Sequence, residues 1–125
     1  MKKDQKFYIT TPIYYVNARP HLGHAYTMFA ADTFARYYRM RGFDVKFLTG
    51  TDENSQKNIE AAKKLGKADD IKGYLDEMAA VWAETWDSLG MTNDDFIRTT
   101  EVRHKKAVAK FVEAVWKKGD IYKGS

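Results

Sequence analysis

Apolar residues recur along this chain with two spacings, and each spacing predicts a different kind of secondary structure. Short runs of aromatic and β-branched residues at 6–11, 44–49 and 95–100 predict three strands. Elsewhere apolar residues recur at every third or fourth position, which predicts helices over 22–41, 53–65 and 69–89 and a last helix that ends at 118. A glycine follows each predicted helix, at positions 42, 66, 90 and 119.

The strand–helix–strand succession over 6–49 is a βαβ unit, which implies two parallel strands joined by a right-handed crossover. The predicted fold class is therefore α/β, a parallel sheet flanked by helices. The apolar first strand is expected to be buried on both of its faces.

In the first predicted helix, Asp32 is expected to lie at the surface or in a salt bridge. In the first helix, the spacing predicts a core face made of Leu22, Tyr26, Phe29, Ala30, Thr33, Phe34 and Tyr37.

Composition indicates one packed domain, since 44% of the 125 residues are hydrophobic and 14% are aromatic. The net charge of +4 is uneven, because residues 98–125 hold eight Lys or Arg against three Asp or Glu. That stretch is either a solvated helix face or a surface for RNA phosphates. With no cysteine, these residues form neither disulfides nor a thiolate zinc site. No signal-peptide core and no apolar run of about 20 residues occurs, so a cytoplasmic location and no membrane partner are expected.

A loop bracketed by Pro12 and Pro20 joins the first strand to the first helix, and two histidines follow it. Such a loop suits phosphate binding, because the first N–H groups of a helix lack partners and the helix dipole favours anions. His21 and His24 would share one helix face, and each imidazole can donate to a phosphate oxygen, with charge assistance if it is protonated. Gly23 lets a ligand approach the backbone.

Other interpretations of these residues remain open at this point. The two histidines also fit an ordinary helix start, or two ligands of a metal ion, although no third ligand accompanies them. The apolar residues from Ile13 to Val16 either plug an edge of the core or line a pocket. Asp52 either pairs with an ammonium group or is a turn or N-cap residue. Because ligands of parallel sheets gather at the carboxyl ends of strands, Thr10 to Ile13 should lie beside Gly50 to Glu53.

Several separated segments together resemble the methionine–tRNA ligases, a family of class I aminoacyl-tRNA synthetases. Tyr14 to His24 is similar to the HIGH signature of that class. Nucleotidylyltransferases share the histidine–glycine–histidine loop but not the block after the second strand, and the isoleucine, valine and leucine enzymes lack the combination. The other matching blocks of the bacterial form are Phe47 to Glu53, Gln56-Lys57, Asp94 to Thr100 and Gly119 to Gly124.

The resemblance implies an enzyme that activates L-methionine with ATP, accompanied by Mg²⁺, to methionyl-adenylate and then transfers methionine to tRNA(Met). It implies a Rossmann-like fold in which 1–118 are the N-terminal half of the catalytic domain and 119–125 begin a connective insertion. The residues it assigns to ATP are Thr10, His21, Gly23 and His24, of which the two histidines are catalytic. The residues it assigns to methionine are Pro12, Ile13, Tyr15 and Asp52, the last of which holds the ammonium.

The resemblance is incomplete in several respects. Asn54 and Ser55 stand where the family usually has a histidine and a glycine, and Ala18 stands where it commonly has an acidic residue. The family's lysine-rich second signature is missing from these residues, as are the rest of the insertion and the anticodon domain. The remainder of the catalytic domain is therefore an expected partner, and zinc would be held only in the missing insertion. The alternative functions are a non-catalytic ATP- or RNA-binding module and a nucleotidylyltransferase.

Overall fold

The computed structural model describes residues 5–124, which form a four-stranded sheet and four helices. Met1 to Asp4 and Ser125 lie outside the described residues, as do the outer ends of the two predicted segments, 1–118 and 119–125. In chain order the elements are β1 (Lys6–Thr10), β2 (Tyr14–Tyr15), α1 (Leu22–Met40), β3 (Asp44–Asp52), α2 (Gln56–Lys64), α3 (Ile71–Ser88), β4 (Asp95–Arg98) and α4 (Val102–Lys118).

β3 is the central strand of the sheet, and its pairings with β1, β2 and β4 are all parallel. Leu48 has both Thr10 and Asp95 as partners, so β1 and β4 lie on opposite edges of β3. β2 continues along the β1 edge, where Tyr15 lies opposite Asp52. The carboxyl ends of the strands therefore meet at one end of the sheet, which is where α/β sheets bind ligands.

The predicted α/β fold with a parallel strand pair is confirmed, and two element boundaries differ from the prediction by three residues. β3 continues to Asp52 because that residue pairs with β2, and α2 begins only at Gln56, after Ser55, which caps it. β2 was not predicted, because two residues are too few to show a periodicity. The glycines that were predicted to follow helices all have positive φ, between 68° and 86°: Gly42, Gly66, Gly90 and Gly119.

The core lies on a different face of α1 from the one that spacing predicted. Much of the predicted stripe is exposed to solvent, Leu22 to 85% and Tyr26 to 78%. The prediction was wrong because small side chains let a helix lie close to its neighbour, so the alanine-rich face packs on β1 and β3 and the larger aromatic side chains stay outside. The residues of α1 that are buried are Ala25, Met28, Ala31, Asp32 and Ala35.

β1 buries only one face, contrary to the expectation from its apolar content. Phe7 and Ile9 are half-buried, and the ring of Phe7 stacks on that of Tyr38 in α1 with centroids 3.8 Å apart. The alternate residues, among them Tyr8 and Thr10, are exposed. α1 covers one side of the strand, and the other side is open within residues 5–124. Half-buried and exposed side chains therefore alternate along β1, whereas burial on both faces was expected.

Asp32 is both buried and salt-bridged, and it joins α1 to the segment that enters β4. Its carboxylate accepts hydrogen bonds from Arg36 Nε at 2.6 Å and from the backbone N–H of Thr92 at 2.7 Å. Burial alone would raise the pKa of Asp32, but the hydrogen bonds from Arg36 and Thr92 outweigh it and hold the pKa below its usual value. The expected salt bridge is therefore present, although the residue is not at the surface.

α4 extends from the rest of the fold, and none of its residues is buried. Its exposed apolar side chains, among them Phe111 and Trp116, share the helix with the basic residues of the C-terminal stretch. The prediction of a helix that ends at 118 is confirmed, whereas a contact of this helix with RNA stays a prediction.

Candidate active site

The loop between β1 and α1 is held in place by two hydrogen bonds from α3. The hydroxyl of Tyr74 donates to the carbonyl of Val16 at 2.8 Å, and Nε1 of Trp82 donates to the carbonyl of Ala18 at 3.0 Å. Tyr74 and Trp82 are both buried, so these bonds are shielded from competition by water. The segment that leads to the histidines is therefore ordered before any ligand binds.

The apolar residues of this loop divide between the two roles that the sequence left open. Tyr14 and Val16 are buried, and Tyr14 stacks on Trp82 with ring centroids 5.0 Å apart. Ile13 and Tyr15 are exposed, because successive side chains of an extended segment point to opposite sides. The loop thus plugs the core with one set of side chains and lines a recess with the other.

His21 and His24 cap the first turn of α1 reciprocally. His21 is the N-cap residue, and its Nδ1 accepts the backbone N–H of Gly23 at 3.1 Å. Nδ1 of His24 accepts the backbone N–H of His21 at 3.2 Å. This is the geometry of a capping box, in which two imidazoles replace the usual hydroxyl and carboxylate. The helix-start interpretation of the histidines is therefore correct, and it is compatible with phosphate binding.

The capping geometry determines which nitrogen of each ring carries the proton. An Nδ1 that accepts a backbone N–H holds a lone pair, so the proton of each neutral imidazole is on Nε2. The two rings stack with centroids 3.7 Å apart, which disfavours two positive charges. Burial lowers the pKa of His24 below its ordinary 6.5, and the neighbouring His21 lowers it further. While each Nδ1 accepts a backbone N–H, Nε2–H is the group of each ring that is left to donate. The lowered pKa of His24 disfavours, for that ring, the charge assistance that the sequence analysis considered.

Gly23 provides room for the ring of His21. A Cβ at position 23 would lie 3.0 Å from Cε1 and 3.1 Å from Nδ1 of His21, closer than side chains usually approach. The glycine therefore lets the imidazole fold back over the helix start, where it meets the N–H of Gly23 itself. This is a reason for glycine in addition to the ligand approach that was predicted.

A recess of about 300 Å³ lies beside the histidines. That volume is at the small end of the range for ligand pockets, and the walls combine aromatic rings with the two imidazoles. Four predicted site residues meet here, namely Ile13, Tyr15, His21 and His24. The remaining wall residues are Tyr14, Asn17, Ala18 and Trp82.

Asp52 lies next to this recess but lines a different one. It is opposite Tyr15 in the pairing of β2 with β3, so the two residues are neighbours across the sheet. Its side chain borders a larger, open groove of about 740 Å³ between the strand ends and α4, together with Asn54, His104 and Val112. Tyr15 is thus the link between the histidine recess and the Asp52 groove.

Thr10 and Pro12 lie at the margin of this region. Thr10 is the last residue of β1, opposite Leu48, and Pro12 follows in the loop; both are exposed. Neither is among the residues that line the histidine recess or the Asp52 groove. Their assignment to ATP and to methionine therefore stays a prediction.

Asn54 and Ser55, which differ from the usual residues of the family, form a hydrogen-bonded turn before α2. Ser55 is the N-cap of α2, and its hydroxyl accepts the backbone N–H of Lys57 at 3.2 Å. The backbone N–H of Asn54 donates to Oδ1 of Asp52 at 3.0 Å. Asp52 is therefore also a turn residue, the second interpretation that the sequence allowed. One of its carboxylate oxygens serves the turn, while Oδ2 accepts no hydrogen bond from any described residue.

Sequence reasoning did not single out Trp82, Glu53 and Arg98. Trp82 holds the loop and lines the recess, while the buried Glu53 and the half-buried Arg98 form an ion pair beside Asp52. A signal for the pair was present: an acidic residue follows β3, a basic residue ends β4, and the carboxyl ends of parallel strands meet. Nothing in the local sequence marked Trp82 apart from the core positions of α3.

Within residues 5–124 there is no group of three His, Asp or Glu side chains arranged to hold a metal ion. A search of the same residues for a helix that is long and apolar enough to cross a membrane also finds none.

The parallel α/β sheet, whose first loop enters a helix through His-x-Gly-His, has the fold of the class I aminoacyl-tRNA synthetases. The fold agrees with a solved LeuRS from Agrobacterium radiobacter K84, at a TM-score of 0.82 and 24% identity over 94% of this chain and 15% of that one. Methionyl-tRNA synthetase from Mycobacterium tuberculosis, solved with methionyl-adenylate, is more similar, with a TM-score of 0.89 and 38% identity over 94% of this chain and 23% of that one.

The family described as "tRNA synthetases class I (M)" matches residues 7–125. The methionine–tRNA ligase of Thermotoga maritima is 54% identical over 119 residues, which are 95% of this chain and 19% of that protein. The chain therefore belongs to the methionine-type class I tRNA synthetase family, as the resemblance implied, and not to the nucleotidylyltransferases. It spans about a fifth of the length of the curated relatives it matches.

Proposed function

We propose that these residues form the methionine- and ATP-binding part of a methionine–tRNA ligase. The activity of the whole protein is then ATP-dependent activation of L-methionine to methionyl-adenylate, followed by transfer of methionine to tRNA(Met). The observation that carries this proposal is the pair of mutually capping histidines beside a recess lined by Ile13 and Tyr15. Phosphate donors next to an apolar recess suit the two parts of an aminoacyl-adenylate.

In the activation step, a carboxylate oxygen of methionine attacks the α-phosphorus of ATP. The bond from that phosphorus to the bridging oxygen breaks, and pyrophosphate leaves; Mg²⁺ accompanying ATP would neutralise part of the phosphate charge. Methionine is already ionised at neutral pH, so no general base is needed. The Nε2–H groups of His21 and His24 donate to phosphate oxygens as charge develops on the leaving group, and the N-terminus of α1 adds its dipole. Gly23 keeps the His21 ring in position, and Thr10 is assigned to ATP.

Asp52 holds the ammonium group of methionine through Oδ2, the oxygen that the turn does not use. Tyr15, opposite Asp52 in the sheet, contacts the substrate between its ammonium and the adenylate. Ile13 and Pro12 supply apolar contact for the thioether side chain. Such contact discriminates against a missing methylene by about 1–3 kcal/mol. The charged end of the substrate therefore contributes affinity, and the apolar end contributes specificity.

In the transfer step, a ribose hydroxyl at the end of tRNA attacks the activated carbonyl, and AMP leaves. The proposal includes the remainder of the catalytic domain as a partner, since phosphates that reach the histidines would also need donors from the opposite side of the site. It also includes a lysine-rich loop there, and zinc, if any is bound, in the connective insertion. These parts lie in the stretch of the longer relatives that this chain does not match.

Exchange of labelled pyrophosphate into ATP tests the proposal in the full-length protein. Exchange that requires L-methionine, with norleucine and leucine as controls, is the expected result. Binding of ATP without methionine-dependent exchange would instead indicate a non-catalytic nucleotide-binding module. Exchange that needs a different acceptor would contradict the methionine assignment while leaving nucleotidyl transfer in place.

A further inference from the structure

Glu53 directly follows Asp52, and its side chain is completely buried, with 0% of it exposed. Arg98 of β4 donates two hydrogen bonds to this carboxylate, from Nε to Oε1 at 2.6 Å and from Nη2 to Oε2 at 3.2 Å. The hydroxyl of Thr51 donates to Oε1 at 3.2 Å, and that of Thr100 donates to Oε2. Both oxygens are therefore fully occupied by protein donors, so this carboxylate is not available to a ligand.

The same hydrogen bonds join the ends of β3 and β4. The backbone N–H of Glu53 donates to Oγ1 of Thr99 at 2.9 Å. Gly50 lies three residues before Glu53, within β3. A Cβ at Gly50 would lie 2.0 Å from the carbonyl oxygen of Ile97, so only glycine allows the two strands to approach this closely. Arg98 also donates to Asp76 of α3 at 2.6 Å, which extends the connection to a third element.

The backbone of Asp52 is held by neighbouring elements. Its backbone carbonyl accepts from Nδ2 of Asn58 at 3.1 Å, and its partner across the sheet is Tyr15. Its carboxylate differs from that of Glu53, because Oδ1 accepts only the N–H of Asn54 and Oδ2 accepts nothing from the described residues. Of two adjacent acidic residues, one is committed to the protein and the other has an oxygen left for a ligand.

We propose that the Glu53–Arg98 pair is a positioning device for substrate recognition: it holds Asp52 in the orientation that binds the ammonium group of the amino acid. This inference rests on the proposed function, and it deepens the assignment of Asp52. The pair acts in two ways. It fixes the backbone on the carboxyl side of Asp52, and the guanidinium neutralises Glu53, so that Asp52 alone supplies net negative charge to the bound ammonium.

The acidic partners of Arg98 favour its charged form. The hydrogen bond to Glu53 raises the pKa of Arg98 against the opposing effect of burial, and Asp76 adds to the rise. Removing the charge of Glu53 leaves the half-buried guanidinium without its bidentate partner, while the side-chain shape is unchanged. Asp76, which Arg98 already contacts at 2.6 Å, then remains as its partner of opposite charge, and the guanidinium is no longer held by the residue that follows Asp52.

A double-mutant cycle in the full-length protein tests this inference, with L-methionine affinity measured by calorimetry. Glu53→Gln should weaken methionine binding about tenfold while the affinity for ATP stays within twofold of wild type. In the Asp52→Asn background, Glu53→Gln should cause no further loss, because the carboxylate that it positions is gone. A merely structural role would weaken both ligands and would add to the effect of Asp52→Asn.

Two further variants keep the test decisive if Glu53→Gln does not fold. Thr100→Val removes one donor to Glu53 at an exposed position and should weaken methionine binding by about two- to fivefold in the same non-additive way. Glu77→Gln in α3, which breaks the surface pair with Lys67 in the preceding loop, is the matched control and should change neither affinity.

The outcomes separate this inference from the proposed function. If Asp52→Asn weakens methionine binding and Glu53→Gln or Thr100→Val does not, the positioning role is overturned and the proposed function stands. If Asp52→Asn itself leaves methionine affinity unchanged, the ammonium site is misplaced, and the positioning role falls with it. Additive losses in the cycle would likewise overturn the positioning role.

Discussion

The imidazole rings of His21 and His24 stack with their centroids 3.7 Å apart, and the Nδ1 atom of His24 accepts the backbone N–H of His21. The two residues therefore stabilise the start of α1 with one edge of each ring and present an N–H donor with the other. Removing either side chain would change helix capping and the proposed phosphate contacts together. Variants that separate the two effects are the most informative.

His21→Ala and His24→Ala should each slow methionine activation by about 10²–10³, the loss expected for one donor to a developing negative charge. Methionine affinity should barely change. Single-turnover formation of methionyl-adenylate in the full-length protein measures the rate. Rates within about threefold of wild type for both variants would show that the histidines are structural.

His21→Asn separates capping from catalysis. Asparagine is a preferred N-cap residue, so the variant should keep the stability that His21→Ala loses, about 0.5–2 kcal/mol. It lacks the Nε2–H donor, so activation should be as slow as in His21→Ala. Thermal unfolding checks the predicted stability, and single-turnover kinetics on the same preparations check the predicted activation rate. Recovery of the rate by His21→Asn would mean that the cap, and not the N–H donor, is what activation requires.

Gly23→Ala should move the catalytic ring without weakening the helix. The added Cβ would lie 3.0 Å from Cε1 of His21, so the imidazole must shift by a few tenths of an ångström. Alanine favours helix over glycine by about 1 kcal/mol, so unfolding should occur at an equal or higher temperature. Activation should fall about tenfold or more, because catalytic donors tolerate little displacement. Unchanged activation in a stabilised variant would show that the position of the His21 ring does not matter.

The pH dependence of stability should report the capping imidazole of His24. Its pKa is lowered in the folded state, mainly by burial. A group with a depressed pKa contributes stability that is fully present above its unfolded value, here about 6.5, and that is lost as the pH falls through the folded pKa. Melting temperatures of the wild type should therefore fall more steeply below about pH 6.5 than those of His24→Gln. Parallel curves for the two proteins would contradict the neutral capping role.

Asp52→Asn should weaken methionine binding before it affects anything else. A hydrogen-bonded pair between a carboxylate and an ammonium contributes about 1.5–3 kcal/mol, or about 10–100-fold in affinity. The turn at Asn54 should survive, because an amide oxygen can still accept its N–H. Calorimetry with L-methionine measures the loss, and ATP affinity serves as the internal control. An unchanged methionine affinity would remove Asp52 from the site.

Residues 1–125 expressed alone should not charge tRNA with methionine, because only one side of the proposed phosphate site is present. The exposed aromatic stripe of α1 and the apolar face of α4 should also promote self-association. Binding of a hydrophobic dye and elution from a sizing column measure this, and a Leu22→Lys, Tyr26→Lys double variant on the stripe should reduce both signals. A compact monomer that charges tRNA would contradict the prediction.

The sequence predicted the positions of the helices more reliably than their buried faces. In α1, regular spacing selected a stripe headed by Leu22 and Tyr26, yet the alanine face of the same helix packs on the sheet. Both stripes recur with helical period, so periodicity alone does not choose between them. The choice depends on how closely the helix approaches β1 and β3, which is a property of the assembled layers.

The sequence by itself determined the features that depend on local chemistry, namely the βαβ order, the helix-ending glycines, the histidine loop and the acidic residue at the end of β3. These features depend on neighbours within a few residues, and short-range sterics and hydrogen bonding set them. The tertiary structure alone decided that Tyr74 and Trp82 hold the loop, that burial lowers the pKa of His24, and that Arg98 joins Glu53. Each of these contacts unites residues more than forty positions apart or depends on burial, and only the packing of α3 and β4 around β3 brings them within hydrogen-bond distance.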